Sequence, residues 1–377
     1  LYLNRLGLRS QLGLINNFAN WQTIFAMIAP RILFPTNMDT QAMSLNALLA
    51  KALAQRTQLI ADAKANNTDC YRVFHGTVEG VDGLNIDRYG NAWLIQTFHQ
   101  SLTTEALAEI GTALRQIDHL AVIYNDRSNK HSRILNTLTQ TLENFAGSEQ
   151  VIQENSIQFC SKLRHEGQDP LLFLDMRIGR EYVKAHSKDK SVLNLFSYTC
   201  GIGTAAAVGG ATRVMNVDFS SFALAAGRKN AELNGVQAVC EFVQSDAFPA
   251  MRQLAGIKVG GRRHQKLPSY PKLSPNRFDL VFLDPPRFAK SPFGTVDLIN
   301  DYQSLFKPAM LATQSGGTIV CCNNVAKVER QLWFDALVRC IEKQGRSLTR
   351  HEWLDCHPDF PSFDGNHPLK MVALTLS

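Results

Sequence analysis

No C-x-x-C pair occurs among the eight cysteines (70, 160, 200, 240, 321, 322, 340 and 356), and none pairs with histidine at a zinc-like spacing. This excludes zinc ribbons and disulfide scaffolds, predicts no bound metal, and fits reduced thiols in a cytoplasmic protein. Long apolar runs are also missing. The stretch Phe18 to Leu33 is interrupted by Asn20, Gln22, Pro30 and Arg31, too short and broken to span a bilayer. A basic leader followed by a small-residue cleavage site is not found in the expected order. There is no internal repeat and no low-complexity tract. Charged residues make up only 19%, and the formal net charge of +6 is local. Lys258, Arg262, Arg263, Lys266, Lys272 and Arg277 lie within 256–277 without one acid, so the remainder of the chain sums to zero. Such a loop suits a polyanion; Gly260-Gly261 with Pro268, Pro271 and Pro275 also fits a solvated, flexible insertion.

What is present is an ordinary globular composition, 45% hydrophobic over 377 residues, enough for two or three domains. Residues 1–42 are expected to be an extension outside the functional fold. A helix is expected from Met43 to about Lys64. Strands follow at Tyr71–Phe74, Leu84–Ile86, Ala92–Phe98 and Ala121–Tyr124, with a helix over 104–116 and two further strands near 149–153 and 156–163. This makes 43–165 a small α+β domain. Beyond Gly167 strands and helices alternate. Strands near 191–196, 213–218, 240–244, 279–284, 317–322, 347–353 and 370–376 predict a doubly wound, mostly parallel, Rossmann-like α/β sheet over 166–377.

The chemistry gathers at the carboxyl ends of these strands. Val192–Phe196 runs into Ser197-Tyr-Thr-Cys-Gly201-Ile-Gly203, a strand, a glycine turn and a helix start that permit close backbone approach. The next strand ends in Asp218, suited to two ribose hydroxyls, and the third in Asp246-Ala247, suited to an adenine amino group. The fourth, Phe278–Leu283, ends in Asp284-Pro285-Pro286-Arg287-Phe288. Two prolines fix a rigid extended turn and hold an acid and a ring over the sheet edge. The glycines alone also fit a nicotinamide enzyme. A hydride-transfer site has no use for the acid–diproline turn.

From about Tyr71 onward the chain resembles the class I S-adenosylmethionine-dependent RNA methyltransferases of the large-subunit (23S) rRNA group, which includes a cytosine-C5 and a guanine-N7 enzyme. The resemblance is carried by Asp82–Gly90, Leu174-Asp-Met-Arg177, Asn194–Gly201, Val217-Asp-Phe-Ser220 and Asp284–Phe288. It implies S-adenosylmethionine as cofactor, held by Phe196, Tyr198, Thr199, Gly201, Gly203, Asp218, Phe219, Asp246, Ala247 and Asp284, and RNA, 23S rRNA in particular, as partner. The 256–277 insertion is longer than in that group. No RNA-binding module of the kind some relatives carry fits before Met43. The mode of RNA docking is therefore open, as is the oligomeric state.

Gly316-Gly317 to Asn324 bears on the methylated atom. Cytosine C5 must first be activated by a thiolate, so Cys321 and Cys322 invite the cytosine-C5 reading. Counted from the Gly-Gly turn, however, the nucleophilic cysteine of the cytosine-C5 relative falls at Asn324. The guanine-N7 relative carries paired asparagines there, as here. A ring nitrogen holds its own lone pair and needs positioning, not a covalent catalyst. Asp284 and the Pro285 carbonyl are expected to hold the base, Phe288 to stack on it, and Asn323 and Asn324 to orient it. Arg262, Arg263 and Lys266 are expected to contact phosphates. The target base is expected to be unpaired or flipped out. His367, in the Phe360–Pro368 segment, is a weak acid/base candidate against a turn-stabilising role. A dehydrogenase and a non-catalytic RNA-binding protein remain the readings outside this class.

Overall fold

In Leu84–Tyr89 (β2) the apolar residues Leu84 and Ile86 alternate with Asn85 and Asp87, the period of a strand with two unlike faces. It is central to a sheet ordered β1-β2-β3-β4, with β1 Cys70–His75, β3 Ala92–Thr97 and β4 Ala121–Asp126. One face, with Leu84, Ile86, Trp93 and Ile95, packs on Ile110 and Leu114 of the Thr104–Arg115 helix and on Leu49 of the Leu45–Gln55 helix. A hairpin, β5 Gln150–Glu154 and β6 Ile157–Ser161, follows.

The computed structural model describes residues 43–165, 167, 169–260 and 267–377. Residues 1–42, with their expected extension, and Arg262, Arg263 and Lys266 fall outside the described residues. Among the described residues no helix is long and apolar enough to cross a membrane.

The second sheet has seven strands in the order β14-β15-β13-β10-β7-β8-β9. These are β7 Ser191–Leu195, β8 Arg213–Asp218, β9 Cys240–Gln244, β10 Phe278–Leu283, β13 Thr313–Asn323, β14 Leu348–Trp353 and β15 Lys370–Leu376. Pairing is parallel from β9 through β13 and antiparallel at β15 and β14. Strands buried on both faces read as near-continuous apolar runs. Accordingly Leu193, Val281 and Leu283 enter one core and Val192, Leu280 and Phe282 the other. Strand order reverses between β7 and β10, which opens a crevice beyond their carboxyl ends.

The expected doubly wound sheet is what the chain forms, and its strands fall where the sequence placed them. Several elements differ. The first helix is two, Leu45–Gln55 and Thr57–Ala65, because Arg56 turns inward, 3% exposed, to donate to Ala52 O and the Glu79 carboxylate. The helices Gln140–Gly147 and Arg177–His186 and a hairpin of β11 (Phe288–Ser291) and β12 (Gly294–Asp297) were not expected.

Candidate active site

The turn after β7 is held in an uncommon conformation. Phe196, Tyr198 and Cys200 all have positive φ, at 56°, 46° and 60°. A left-handed non-glycine residue costs on the order of 1–3 kcal/mol and persists only where its surroundings over-determine it. Here they do. Tyr198 N donates to Asp218 Oδ2 (2.9 Å), Thr199 Oγ1 to Leu171 O (2.6 Å), Asn230 Nδ2 to Thr199 O (2.9 Å) and Cys200 N to Ser197 O (2.7 Å). The Gly201–Val208 helix starts directly after this turn.

Asp218 closes β8 and is 8% exposed. Its second oxygen accepts from Ser220 N (2.9 Å). Burial pushes its pKa up, against the backbone N–H donors that pull it down. Its two oxygens are thus oriented, with lone pairs to spare. Asp246 caps the Ala247–Leu254 helix by accepting from Phe248 N (2.8 Å). Asp284 is different. No donor among the described residues reaches its carboxylate, and burial, with the nearby Asp175, raises its pKa to about 7.

Two adjoining cavities occupy the crevice. The larger, ≈ 560 Å³, is lined by Phe173, Phe196, Tyr198, Asp218, Asp284, Pro285 and Asn324 among others. The second, ≈ 230 Å³, lies between Phe219, Ser245, Asp246, Ala247 and Phe248 and shares Phe196, Asp218 and Phe219 with the first. Together they form an elongated site, mainly apolar at one end, with fixed carboxylates along it.

The sequence profile of the S-adenosylmethionine-dependent methyltransferase family matches residues 90–375, some three quarters of the chain. The chain belongs to this family. A ribosomal RNA large subunit methyltransferase I of Aeromonas salmonicida is 27% identical, covering 77% of this chain and 70% of its own length. A Bacillus subtilis protein, provisionally named ribosomal RNA large subunit methyltransferase YwbD, is 30% identical, covering 86% and 78%. The solved structure of SMU.776, described as a methyltransferase complexed with SAH, aligns with a TM-score of 0.69 at 24% identity, over 88% of this chain and 82% of that one. That likeness carries the fold.

S-adenosylmethionine is therefore the methyl donor of this methyltransferase, and the cavities fit it. Asp218 has lone pairs for a ribose, and the smaller cavity is lined by Phe219, Ala247 and Phe248, suited to a flat adenine ring. Three expected site residues are placed otherwise. Gly203 does not line the cavity; a Cβ there would lie 2.0 Å from Asn216 Oδ1, so this glycine lets the helix approach β8. Asn323 is 0% exposed, with Nδ2 donating to Leu298 O (3.1 Å) and Oδ1 accepting from Val325 N (3.1 Å), so it fixes the strand end and cannot orient a base. Phe288 is 59% exposed at the start of β11 and lines neither cavity; its ring stands under Lys290 Nζ at 5.5 Å.

Asn324, by contrast, is exposed and lines the larger cavity beside Asp284. Cys321 and Cys322 do not line it. They are 0% and 1% exposed, and β13 carries them into opposite cores. Burial raises both thiol pKa values, the reverse of what a thiolate nucleophile needs. Phe173 was missed by the sequence reading. It is 47% exposed, packs on Tyr198 at 5.5 Å between ring centroids, and places an aromatic ring on the wall of the larger cavity, where Phe288 does not reach. Its only sequence signal was the adjacent Leu174-Asp-Met-Arg177 stretch.

Proposed function

We propose that this methyltransferase modifies an unpaired base of large-subunit ribosomal RNA by direct transfer to a ring nitrogen, guanine N7 being the natural acceptor. The carrying observation is that, among the described residues, no cysteine lines either of the two crevice cavities, while Asp284 with its unpartnered carboxylate, Pro285 and Asn324 line the larger one. The ribosomal target is supported by the names of the relatives, among them a ribosomal RNA large subunit methyltransferase K/L of Pseudoalteromonas atlantica.

Bound S-adenosylmethionine supplies an electrophilic methyl on a sulfonium. The chain's own residues do the rest. Residues 166–377 form the catalytic domain, with 43–165 as the domain that docks beside it. Phe196, Tyr198, Thr199 and Gly201 shape the cofactor wall, Asp218 takes the ribose, and Phe219, Asp246 and Ala247 take the adenine. Asp284 and the Pro285 carbonyl accept hydrogen bonds from the base, Asn324 orients it, and Phe173 stacks on it. Stacking of this kind is worth about 1–3 kcal/mol. Guanine N7 keeps its lone pair in the ring plane, so alignment suffices and no proton need leave before attack. Arg262, Arg263 and Lys266 contact phosphates and place the strand.

The test is transfer of labelled methyl to unmodified large-subunit rRNA by Cys321→Ala and Cys322→Ala variants. Both should keep activity within about threefold, normalised to folded protein, since neither thiol is asked for chemistry. Near-complete loss in one of them, with cofactor affinity intact, would favour a cytosine-C5 enzyme.

A further inference from the structure

The face of the four-stranded sheet turned towards the catalytic sheet is apolar at one end only. Cys70, Tyr89, Ala92 and Leu94 join the core shared with Val192 and Phe282. At the other end the same face carries a polar row. His75 pairs with Asn85, and Asn85 with Gln96, directly across β1, β2 and β3. A buried polar row is costly unless it is hydrogen-bonded. Here it lines a cavity of ≈ 220 Å³ covered by Phe360 and His367 of the loop between β14 and β15.

The row is pre-organised. Arg72 grips Asp87 through Nε (2.7 Å) and Nη2 (3.0 Å), lies 4.8 Å from the Phe360 ring centroid, and donates through Nη1 to His75 Nδ1 (2.8 Å). Arginine can only donate, so Nδ1 accepts and the His75 proton sits on Nε2. Burial, with Arg72, Arg56 and His367 beside it, lowers the His75 pKa to about 4, which keeps the ring neutral. Gln96 Oε1 is fixed by Arg127 Nε at 2.8 Å. The Asn85 amide is half-buried and makes no side-chain hydrogen bond among the described residues. Aromatic cover, neutral donors and acceptors, a fixed guanidinium and the carboxylates of Asp87, Asp169 and Asp175, which can accept from base amino and imino groups, are the chemistry that recognises a nucleobase edge. Asp169 and Phe173 line both this cavity and the methyl-transfer cavity, so the two adjoin.

We propose that this cavity binds a second unpaired nucleobase of the RNA, one flanking the base that is methylated, with the Phe173 ring between them. The inference rests on the reading of the chain as an RNA base methyltransferase. The site assigns the small domain a share in choosing the sequence context of the target.

Steady-state kinetics of full-length Asn85→Ala and His367→Ala on an rRNA fragment containing the methylated site test it. SAH affinity serves as the control for folding and cofactor binding. Each variant should raise KM for RNA about 5- to 20-fold, the effect of one lost hydrogen bond to a buried partner, with kcat and SAH affinity held within about twofold. An abasic nucleotide at one flanking position should raise the wild-type KM similarly, and Asn85→Ala should add nothing to it, the non-additivity of direct contact. Unchanged KM in both variants, additive effects at every flanking position, or a fall in kcat alone would each overturn the flanking-base assignment while leaving the methyltransferase reading intact. If the wild-type protein transfers no methyl to any rRNA fragment, the functional reading itself fails, and this inference with it.

Discussion

In the seven-stranded sheet, most residues of β7 and β10 are apolar and these enter the cores on both faces; in the four-stranded sheet, half of one face is polar and opens onto a cavity. In the larger sheet the acids proposed for the site, Asp218, Asp246 and Asp284, stand at or just beyond the ends of strands. In the smaller sheet the polar residues His75, Asn85 and Gln96 stand along the strands. A sheet with both faces covered can place functional groups only where strands stop, and the parallel order makes those stops coincide. A sheet with one half-covered face can spend side-chain positions on recognition. The loop 354–369 joins the two, because Asp359 accepts from Arg177 Nη1 (3.2 Å) and from Arg72 N (3.2 Å), while Arg177 and Arg180 both bind Glu154.

The comparison breaks most visibly at Asp284. Replacing it with asparagine should lower kcat about 10²- to 10³-fold, the scale for losing one positioned polar group at a reacting centre. The same change should raise the melting temperature of the cofactor-free protein. Its pKa, about 7 in the folded state, lies above the ordinary carboxyl value, so ionisation disfavours the native state. That cost is complete above pH 7 and fades as pH falls toward 4. The gain in melting temperature should therefore be larger at pH 8 than at pH 5. Equal gains at both would show that the carboxyl is not held in a desolvated site. For the wild-type enzyme, kcat should rise through pH ~7 as this carboxylate ionises.

Next in size is Asp218→Ala, which removes the proposed ribose acceptor and the Tyr198 N anchor of the left-handed turn. Calorimetry should show SAH binding weakened about 10- to 150-fold, the range for hydrogen bonds to a charged group. Binding unchanged within threefold would place the cofactor elsewhere. Smaller again, Gly203→Ala forces a Cβ toward Asn216 and should cost about 1–3 kcal/mol in urea unfolding, the usual cost of overpacking. If its stability is unaffected but SAH binding is lost, the glycine serves the ligand directly.

The strand positions, the glycine turn and the three acids were legible because period, apolar runs and strand-end residues are local signals. The Asn323–Asn324 pair shows where local signals stop. β13 continues through Asn323, which the β15 pairing with Lys370 buries, and only the next residue leaves the sheet. Phe288 was misplaced for a related reason. Following a diproline it reads as part of the rigid turn, but it opens a hairpin whose exposed positions alternate, and it faces outward. The alternation of Asn85 and Asp87 in β2 is a local signal, but the loop that covers this row and ties Asp359 to Arg72 comes from 287 positions away, and nothing in either neighbourhood announces the pairing.

The most direct test is mass-spectrometric identification of the methylated nucleoside that the purified protein forms on unmodified large-subunit rRNA. A ring-nitrogen product, 7-methylguanosine, is the predicted result. 5-Methylcytidine would contradict the account, since the crevice offers no cysteine to make it.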